Sequence, residues 1–250
     1  MPLVDSGVKR PVRASATAKP TATDGRTERW RAHRVSRRRE LVDAALTALA
    51  EHGPEVRMEQ IAAVAGIGKP MLYRHFADKA DLVDAVGQRA SELLLERLTG
   101  AFDPSVSVRE ALRRGLDAYL GLVEDNPNTV RFLLENASPT NGRVSAILEN
   151  ARTIARLFVA LASVDLKAAD VPTDGAEPLA HALVGALLGG TDWWLLMPDE
   201  SRMPRTRLVE HLSVTLLGAI DATLRAAGLV LDADAPVNAA HISHLAGRND

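Results

Sequence analysis

The sequence predicts an all-α protein with a small N-terminal helical domain and a larger C-terminal helical domain. Apolar residues make up 46% of the 250 residues and aromatic residues only 4%, so the core should consist mainly of Leu, Ala and Val, which favours helices. Apolar residues recur at helical spacing, and no segment alternates between apolar and polar residues as a half-buried strand does. A chain of this length has room for one mid-sized domain and one small one.

Residues 1–35 are expected to form a disordered basic arm, because Pro2, Pro11 and Pro20 lie in a stretch without apolar periodicity. Residues 1–39 carry eleven Lys and Arg against three acidic residues, whereas the whole chain has a net charge of -2. A basic arm on an acidic body is typical of a chain whose N-terminus meets an anionic polymer. An organelle transit peptide has a similar composition, but this arm runs straight into a folded motif.

Residues 36–82 are predicted to form the small domain, which contains three helices and the start of a fourth. Ser36 is a suitable N-cap for the first helix, and Gly53 followed by Pro54 ends it. Asp78 is expected to cap the fourth helix, which carries a continuous apolar face as far as Leu98. The four predicted helices span about 36–52, 58–65, 69–76 and 78–98.

Residues 83–231 are predicted to form the larger domain, and residues 232–250 a loose tail without a helical face. The segment Leu179–Met197 is hydrophobic almost all round, so we expect it to be covered on all sides. The next helix, Leu208–Leu224, has one broad apolar face. The helical patterns of this domain lie at about 107–124, 128–136, 141–163, 176–196 and 205–227.

The stretch Met58–Leu82, MEQIAAVAGIGKPMLYRHFADKADL, carries the strongest functional signal. Two short helices joined by a glycine-bearing turn predict a helix-turn-helix, whose second helix enters the major groove of DNA. Four apolar residues of this stretch are expected to form a small core. The remaining side chains of the second helix are expected to face outward as a basic and aromatic surface, which suits phosphates and base edges. The core positions are Ile61, Ile67, Leu72 and Phe76, and the outward positions are Lys69, Met71, Tyr73, Arg74 and His75.

The run Arg37, Arg38 and Arg39 at the start of the first predicted helix is a second candidate contact with DNA. Cations at a helix N-terminus oppose the macrodipole, so their presence there indicates an external anion. We expect the arm to follow the neighbouring minor groove, as basic arms do in other DNA-binding proteins.

The run IAAVAGIGKPMLYRHFADKADL resembles the DNA-binding signature of the TetR family of regulators, and the resemblance extends over Glu40–Leu82. It implies that Tyr73 and His75 grip phosphates. It also implies that Lys79 reaches the DNA backbone from the start of the fourth helix. By the same resemblance, Lys69 and Arg74 would read or clamp bases.

Two positions depart from the pattern of the family, which usually has Ser or Thr where this chain has Arg57 and Gly68. A glycine retains much of the stability that an N-cap hydroxyl gives a helix, so Gly68 still fits the start of the recognition helix. Arg57 is an additional candidate phosphate contact near the second helix.

The resemblance implies that the larger domain binds a small-molecule effector and forms a homodimer. In such proteins the last two long helices form a four-helix bundle with the same helices of a second copy, across a two-fold axis. The alternative for this chain is that these two helices pack only within their own chain. The candidate pocket has few cationic residues in apolar surroundings, so we expect a long, neutral or lipid-like effector. Its candidate walls are Phe132, Phe158, Trp193 and Trp194, and its candidate polar groups are Glu135, Asn136 and Asp192.

The segment RFLLENASP and the later Trp-rich helix are similar to the subgroup of TetR regulators that senses long-chain fatty acyl-CoA thioesters and controls lipid synthesis. The main alternative is a repressor that senses antibiotics or other hydrophobic drugs and governs an efflux pump. Double-stranded operator DNA is the expected macromolecular partner in both cases.

We expect no enzymatic activity, no cofactor and no metal site. The chain has no cysteine, no glycine-rich phosphate loop and no Gly-x-Ser-x-Gly elbow. His241 and His244 lie three residues apart in the predicted tail and are only a weak metal candidate. A helical small-molecule-binding protein or enzyme with an incidental helix-turn-helix, or a protein-interaction adaptor, remains as the alternative class.

A cytoplasmic location is expected, without a role in the membrane. No apolar segment follows the cations Lys9 and Arg10, as a secretory signal would require. The most apolar stretch, Pro178–Met197, contains His181 and Asp192, so it is interpreted as a buried helix and not as a membrane span.

Overall fold

The structure is a computed structural model of the chain, and it describes residues 22–136, 151–156, 159, 175–237 and 242–244. Side chains are described from His33 onward. The chain divides into two compact units, one ending at Glu40 and the other beginning at Leu41.

The described residues are almost entirely helical, as the sequence predicts. Residues 151–156 are helical as well. A short 3-10 turn, Asp199–Ser201, follows the helix Ala176–Leu196. The helices are α1 (Ala22–His52), α2 (Met58–Val64), α3 (Lys69–Tyr73), α4 (Lys79–Ala101), α5 (Val108–Asp125), α6 (Pro127–Glu135), α7 (Ala176–Leu196) and α8 (Arg205–Ala226).

The start of α1 differs from the prediction. The helix begins at Ala22 and not at Ser36, so the expected disorder of residues 1–35 is wrong for residues 22–35. Proline is absent from Thr21 to Gly53, and Arg, Glu and Ala, which favour helices, are frequent there. The absence of an apolar stripe in this stretch therefore did not mean the absence of a helix.

A first core cluster joins α1 from Leu41 onward to α2, α3, α4 and α6. Ala45, Leu72, Phe76 and Leu82 are completely buried in it, and Phe132 of α6 belongs to the same cluster. The helix-turn-helix therefore shares one core with a helix of the larger domain. We call this group of side chains the shared core.

A second core cluster lies between α5, α7 and α8. Leu120 and Trp194 are fully buried there, and Leu208 and Leu216 complete the contact from α8. The indole Nε1 of Trp194 donates a 2.7 Å hydrogen bond to the carbonyl oxygen of Met203. Because a buried indole N–H needs an acceptor, this bond fixes the end of α7 against the start of α8.

One side of α7 is exposed in the single chain, whereas the sequence predicts a helix covered on all sides. The exposed stripe consists mostly of small residues and ends in Trp193 and Leu196, which are 48% and 74% exposed. Around Gly189 of α7 the space is open, since an added Cβ would meet nothing within 4 Å. On α8, Val214 is 73% exposed. By length and composition, α7 could also cross a membrane, a test that core helices of soluble proteins pass as well. The small exposed residues of the stripe are Ala182, Gly185, Ala186 and Gly189.

A small sheet corrects the prediction that the chain has no strand. The strand β1 (Leu229–Leu231) pairs antiparallel with β2 (Ile242–His244), with Val230 opposite Ser243. Each strand has three residues, which is too short for an alternating pattern to stand out in the sequence.

The described part of the C-terminal tail is attached to the start of α5 and is not loose. The backbone N–H groups of Val108 and Arg109 donate to the carbonyl oxygens of Ala235 and Ala233, at 3.1 and 2.9 Å. The side chain of Arg109 pairs with Asp234 at 3.0 Å. The first N–H groups of a helix lack partners within the helix, so the tail supplies acceptors that α5 needs.

The turn between α2 and α3 requires a glycine, since Gly66 has φ 66°. Changing Gly66→Ala should reduce the free energy of unfolding by about 1–2 kcal/mol, the usual cost of a left-handed conformation for a residue with a Cβ. Urea unfolding followed by circular dichroism measures the change.

The matched control is Gly100→Ala, in the last turn of α4, where an added Cβ meets nothing within 4 Å. It should leave stability unchanged or raise it by up to about 1 kcal/mol, because alanine favours a helix. Equal effects of the two substitutions would show that the turn does not depend on glycine.

Candidate nucleic-acid interface

The helix-turn-helix is held by backbone hydrogen bonds around its turn and by apolar side chains beneath it. The N–H group of Ile67 donates to the carbonyl oxygen of Ala62 at 2.9 Å. Ile61 is buried and Ile67 partly buried, while Leu72 and Phe76 are completely buried. The four predicted core positions are therefore confirmed.

The recognition helix α3 has only five residues, followed by a further turn. In that turn the N–H group of Phe76 donates to the carbonyl oxygen of Leu72 at 3.0 Å. Gly68 is the N-cap, with an extended backbone and no side-chain hydrogen bond. The side chain of Asp78 accepts from the N–H of Asp81 at 2.8 Å, so the predicted cap of α4 is confirmed.

The outward face of α3 contains the side chains that the sequence placed there. Met71 and Tyr73 are 42% and 41% exposed, Lys69 and Arg74 are exposed, and His75 is half-buried. Within the described residues Arg74 has no ion-pair partner. This surface therefore presents two cations and two apolar or aromatic groups to solvent.

The start of α2 lies next to this face and has an arginine as its N-cap. Arg57 is exposed, and its backbone N–H donates to the side-chain oxygen of Gln60 at 2.9 Å. The guanidinium thus takes no part in capping the helix and remains a candidate for a contact with phosphate.

An ion pair that the sequence reasoning missed connects α2 to α3. The carboxylate of Glu59 accepts a hydrogen bond from Nζ of Lys69, and the same ammonium lies 5.9 Å from the ring centroid of Tyr73. The hydrogen bond from Lys69 lowers the pKa of Glu59, and the same bond raises the pKa of Lys69. Ion pairs within one helix are recognised in a sequence by a spacing of three or four residues. Glu59 and Lys69 are ten residues apart and on different helices, so only the geometry of the turn reveals this pair.

The predicted arginine run lies in the N-terminal unit, inside α1 and not at its start, so the expected opposition to the helix macrodipole does not apply. Arg37 donates to the carboxylate of Glu40 at 2.7 Å, and this hydrogen bond lowers the pKa of Glu40. Arg37 and Arg38 are half-buried and Arg39 is exposed. The side chain of Arg37 is 39% exposed in this pair.

Lys79 and Phe132 bring the start of α4 next to α6. The ammonium of Lys79 lies 5.5 Å from the ring centroid of Phe132, which is 1% exposed. The side chain of Asn128 also donates to the carbonyl oxygen of Leu49 at 3.1 Å. Phe132 was predicted as a wall of the effector pocket, but its ring packs in the shared core beneath a candidate DNA contact.

The other predicted effector contacts have different surroundings. Glu135 is exposed, and the side chain of Asn136 donates to the carbonyl oxygen of Phe132 at 2.7 Å. Asp192 is half-buried and Trp193 exposed on α7. Phe158 lies outside the described residues.

The fully buried residues of the described part of the larger domain are almost all apolar, and a partly buried cation, Arg202, lies against Trp194 with its Nε buried. The buried polar residues of the described part are Thr129, Thr191 and Ser213, and no charged residue is among the buried ones. Burial raises the pKa of Tyr119, and the nearby side chain of Thr191 partly offsets this. Thr191 in turn donates to the carbonyl oxygen of Leu187 at 2.8 Å.

Comparison with known proteins gives two family matches. Residues 41–86 match the family of bacterial regulatory proteins of the tetR type. Residues 97–229 match the tetracyclin repressor-like C-terminal domain. Together these matches cover the helix-turn-helix and most of the larger domain.

Individual relatives agree with the family matches. An uncharacterized HTH-type transcriptional regulator of Mycobacterium tuberculosis is 33% identical over 207 residues, which is 82% of this chain and 86% of the relative. The HTH-type transcriptional activator FasR of Mycolicibacterium smegmatis is 29% identical over 165 residues, 65% of this chain and 74% of the relative.

The fold is shared with a solved structure, a tetR-family transcriptional regulator from Streptomyces coelicolor. The TM-score is 0.60 at 24% identity, and the match covers 76% of this chain and 83% of the other. The chain therefore belongs to the TetR family and is a DNA-binding transcription regulator, not an enzyme.

Proposed function

We propose that the chain is a cytoplasmic repressor whose affinity for operator DNA is changed by a long hydrophobic effector, such as a long-chain acyl-CoA. On this proposal it regulates lipid metabolism. The proposed DNA contacts are the outward residues of the helix-turn-helix, the N-cap positions of α2 and α3, and the arginine run: Arg37, Arg38, Arg39, Arg57, Gly68, Lys69, Met71, Tyr73, Arg74, His75 and Lys79.

The observation that supports the effector class is the apolar core of the larger domain, in which no fully buried residue of the described part is charged. A small anion or cation entering such an interior would lose its hydration without gaining a counter-charge. A long hydrocarbon chain would instead gain by leaving water. The buried hydroxyls of Tyr119 and Thr191 offer the few hydrogen bonds that a thioester or amide group needs.

The contact between Lys79 and Phe132 supports a route from the effector to DNA. An effector changes DNA affinity only if it binds two conformations of the protein differently. Because α6 packs in the shared core, an effector that displaces α6 also disturbs the start of α4, where Lys79 lies. The DNA-binding residues would then move without any contact with the effector.

The exposed sides of α7 and α8 support a homodimer as part of this proposal. Small residues on α7 permit a close approach of helices, and Trp193 and Val214 supply apolar area that a partner would cover. In a two-fold dimer the recognition helices must lie about 34–36 Å apart, or a multiple of this, to enter successive major grooves. The partner that fits this self-complementary surface is a second copy of the chain.

Arg74→Ala should weaken operator binding by about 1–3 kcal/mol if the guanidinium reads a base edge, and should relax specificity at one base pair. Binding to a set of single-base operator variants measures this. The control Arg113→Ala removes an equal charge from α5, where Arg113 pairs with Glu110, and should have little effect. Uniform weakening at all sites would assign Arg74 to a phosphate.

A long-chain acyl-CoA such as palmitoyl-CoA should change the affinity of the chain for its operator at micromolar concentration. Free CoA is the matched control, since it keeps the charged head and lacks the hydrocarbon chain, and it should have no effect. Fluorescence anisotropy of a labelled operator measures both. If acyl-CoAs have no effect and an unrelated hydrophobic drug does, the chain is a drug sensor and the lipid proposal fails.

Val214→Arg should convert the homodimer to a monomer, because Val214 lies on the exposed side of α8 and a charge there would lose its hydration in an interface. Thr223→Arg is the control, because nine residues place it on the opposite side of the same helix. Sedimentation or light scattering measures the mass. A monomeric wild-type chain, or a dimer that survives Val214→Arg, would exclude this interface.

A further inference from the structure

Glu59 is an acidic residue on a surface that meets a polyanion. Its side chain is 57% exposed, and that of its partner Lys69 is 47% exposed. Both lie in the first turns of their helices, α2 and α3. Arg57 is close enough to add a favourable charge interaction with the Glu59 carboxylate.

Folding stability does not account for this pair. Exposed ion pairs between long side chains contribute little to stability, because solvent screens the charges and both side chains lose conformational freedom. Electrostatics alone would also favour a neutral or basic residue in place of Glu59, since a carboxylate repels the phosphates that supply most of the affinity for DNA.

We propose that Glu59 is a specificity-determining residue, which holds the Lys69 ammonium so that it meets a base edge in the major groove and not a phosphate. The ammonium has three donors. One is used by Glu59, and two remain for a pair of acceptors such as O6 and N7 of guanine. The second carboxylate oxygen of Glu59 is suited to accept from N4 of a cytosine.

The geometry thus assigns the pair to a G·C base pair of the operator. A lysine without Glu59 would be drawn to the nearest phosphate, which carries no sequence information. The carboxylate makes that alternative unfavourable, because the phosphate would have to approach a like charge. Glu59 therefore sacrifices general affinity for DNA in favour of discrimination. This inference depends on DNA binding by the family and not on the identity of the effector.

The test compares Glu59→Gln with the wild-type chain on two DNA fragments, without effector. One fragment is recovered from a random pool by selection with the wild-type chain, and the other is its scrambled sequence. Glu55→Gln is the matched control, since it removes an equal charge from an exposed residue that has no ion-pair partner in the described part of the chain. Dissociation constants are measured at several salt concentrations.

Glu59→Gln should bind the scrambled fragment more tightly than the wild type does, and the slope of log K against log salt should steepen by about 0.9, as for one additional phosphate contact. The ratio of affinities for the two fragments should fall at least about fivefold, the lower range for loss of one good base contact. Glu55→Gln should change neither the ratio nor the slope by as much.

A double-mutant cycle with Lys69→Ala separates this role from a structural one. If Glu59 acts through Lys69, Glu59→Gln should no longer change the ratio once Lys69 is alanine. The proposal is overturned if the ratio changes equally in both backgrounds, or if Glu59→Gln weakens both fragments alike while circular dichroism shows a folded protein. It is also overturned if the wild-type chain selects no sequence, since the pair would then have no base to read.

Discussion

The position of α3 depends on the burial of two side chains, Leu72 and Phe76. A helix of five residues is far too short to be stable by itself in water. Its conformation and its orientation must come from the core beneath it, where both side chains are completely removed from solvent. Each outward residue of the interface, including Lys69 and Arg74, inherits its direction from that anchoring.

The same core receives Phe132, and this links recognition of DNA to the larger domain. Close-packed interiors transmit small displacements, because side chains have discrete arrangements and few voids. A shift of α6 therefore has to be accommodated by α1, α2 or α4, all of which carry or support the proposed DNA contacts. The hydrogen bond from Asn128 to the carbonyl oxygen of Leu49 ties the beginning of α6 to α1 in addition.

Local patterns predicted most of the helices. The helical repeat of 3.6 residues, the cap Asp78 and the glycine turn each involve only residues that are close together in the chain. They did not predict the start of α1, where charged residues form a helix without an apolar stripe. The pairing of β1 with β2 and the attachment of the tail to α5 were also missed, since they join segments far apart in the chain. The place of Phe132 in the shared core was not evident from the sequence either, because an aromatic residue on an apolar face fits a pocket and a core equally well.

The pair of Glu59 and Lys69 shows why a count of cations is a poor guide to a DNA interface. The net charge of the chain is -2, and a pure phosphate binder would gain from removing every acid near α3. An acid that occupies one donor of a lysine instead limits where the other donors can point, which trades affinity for discrimination. Because non-specific DNA is in vast excess over operator sites, the specificity ratio matters more to a regulator than affinity alone. An acidic residue beside the recognition helix is therefore consistent with DNA recognition, and it is informative about how bases are read.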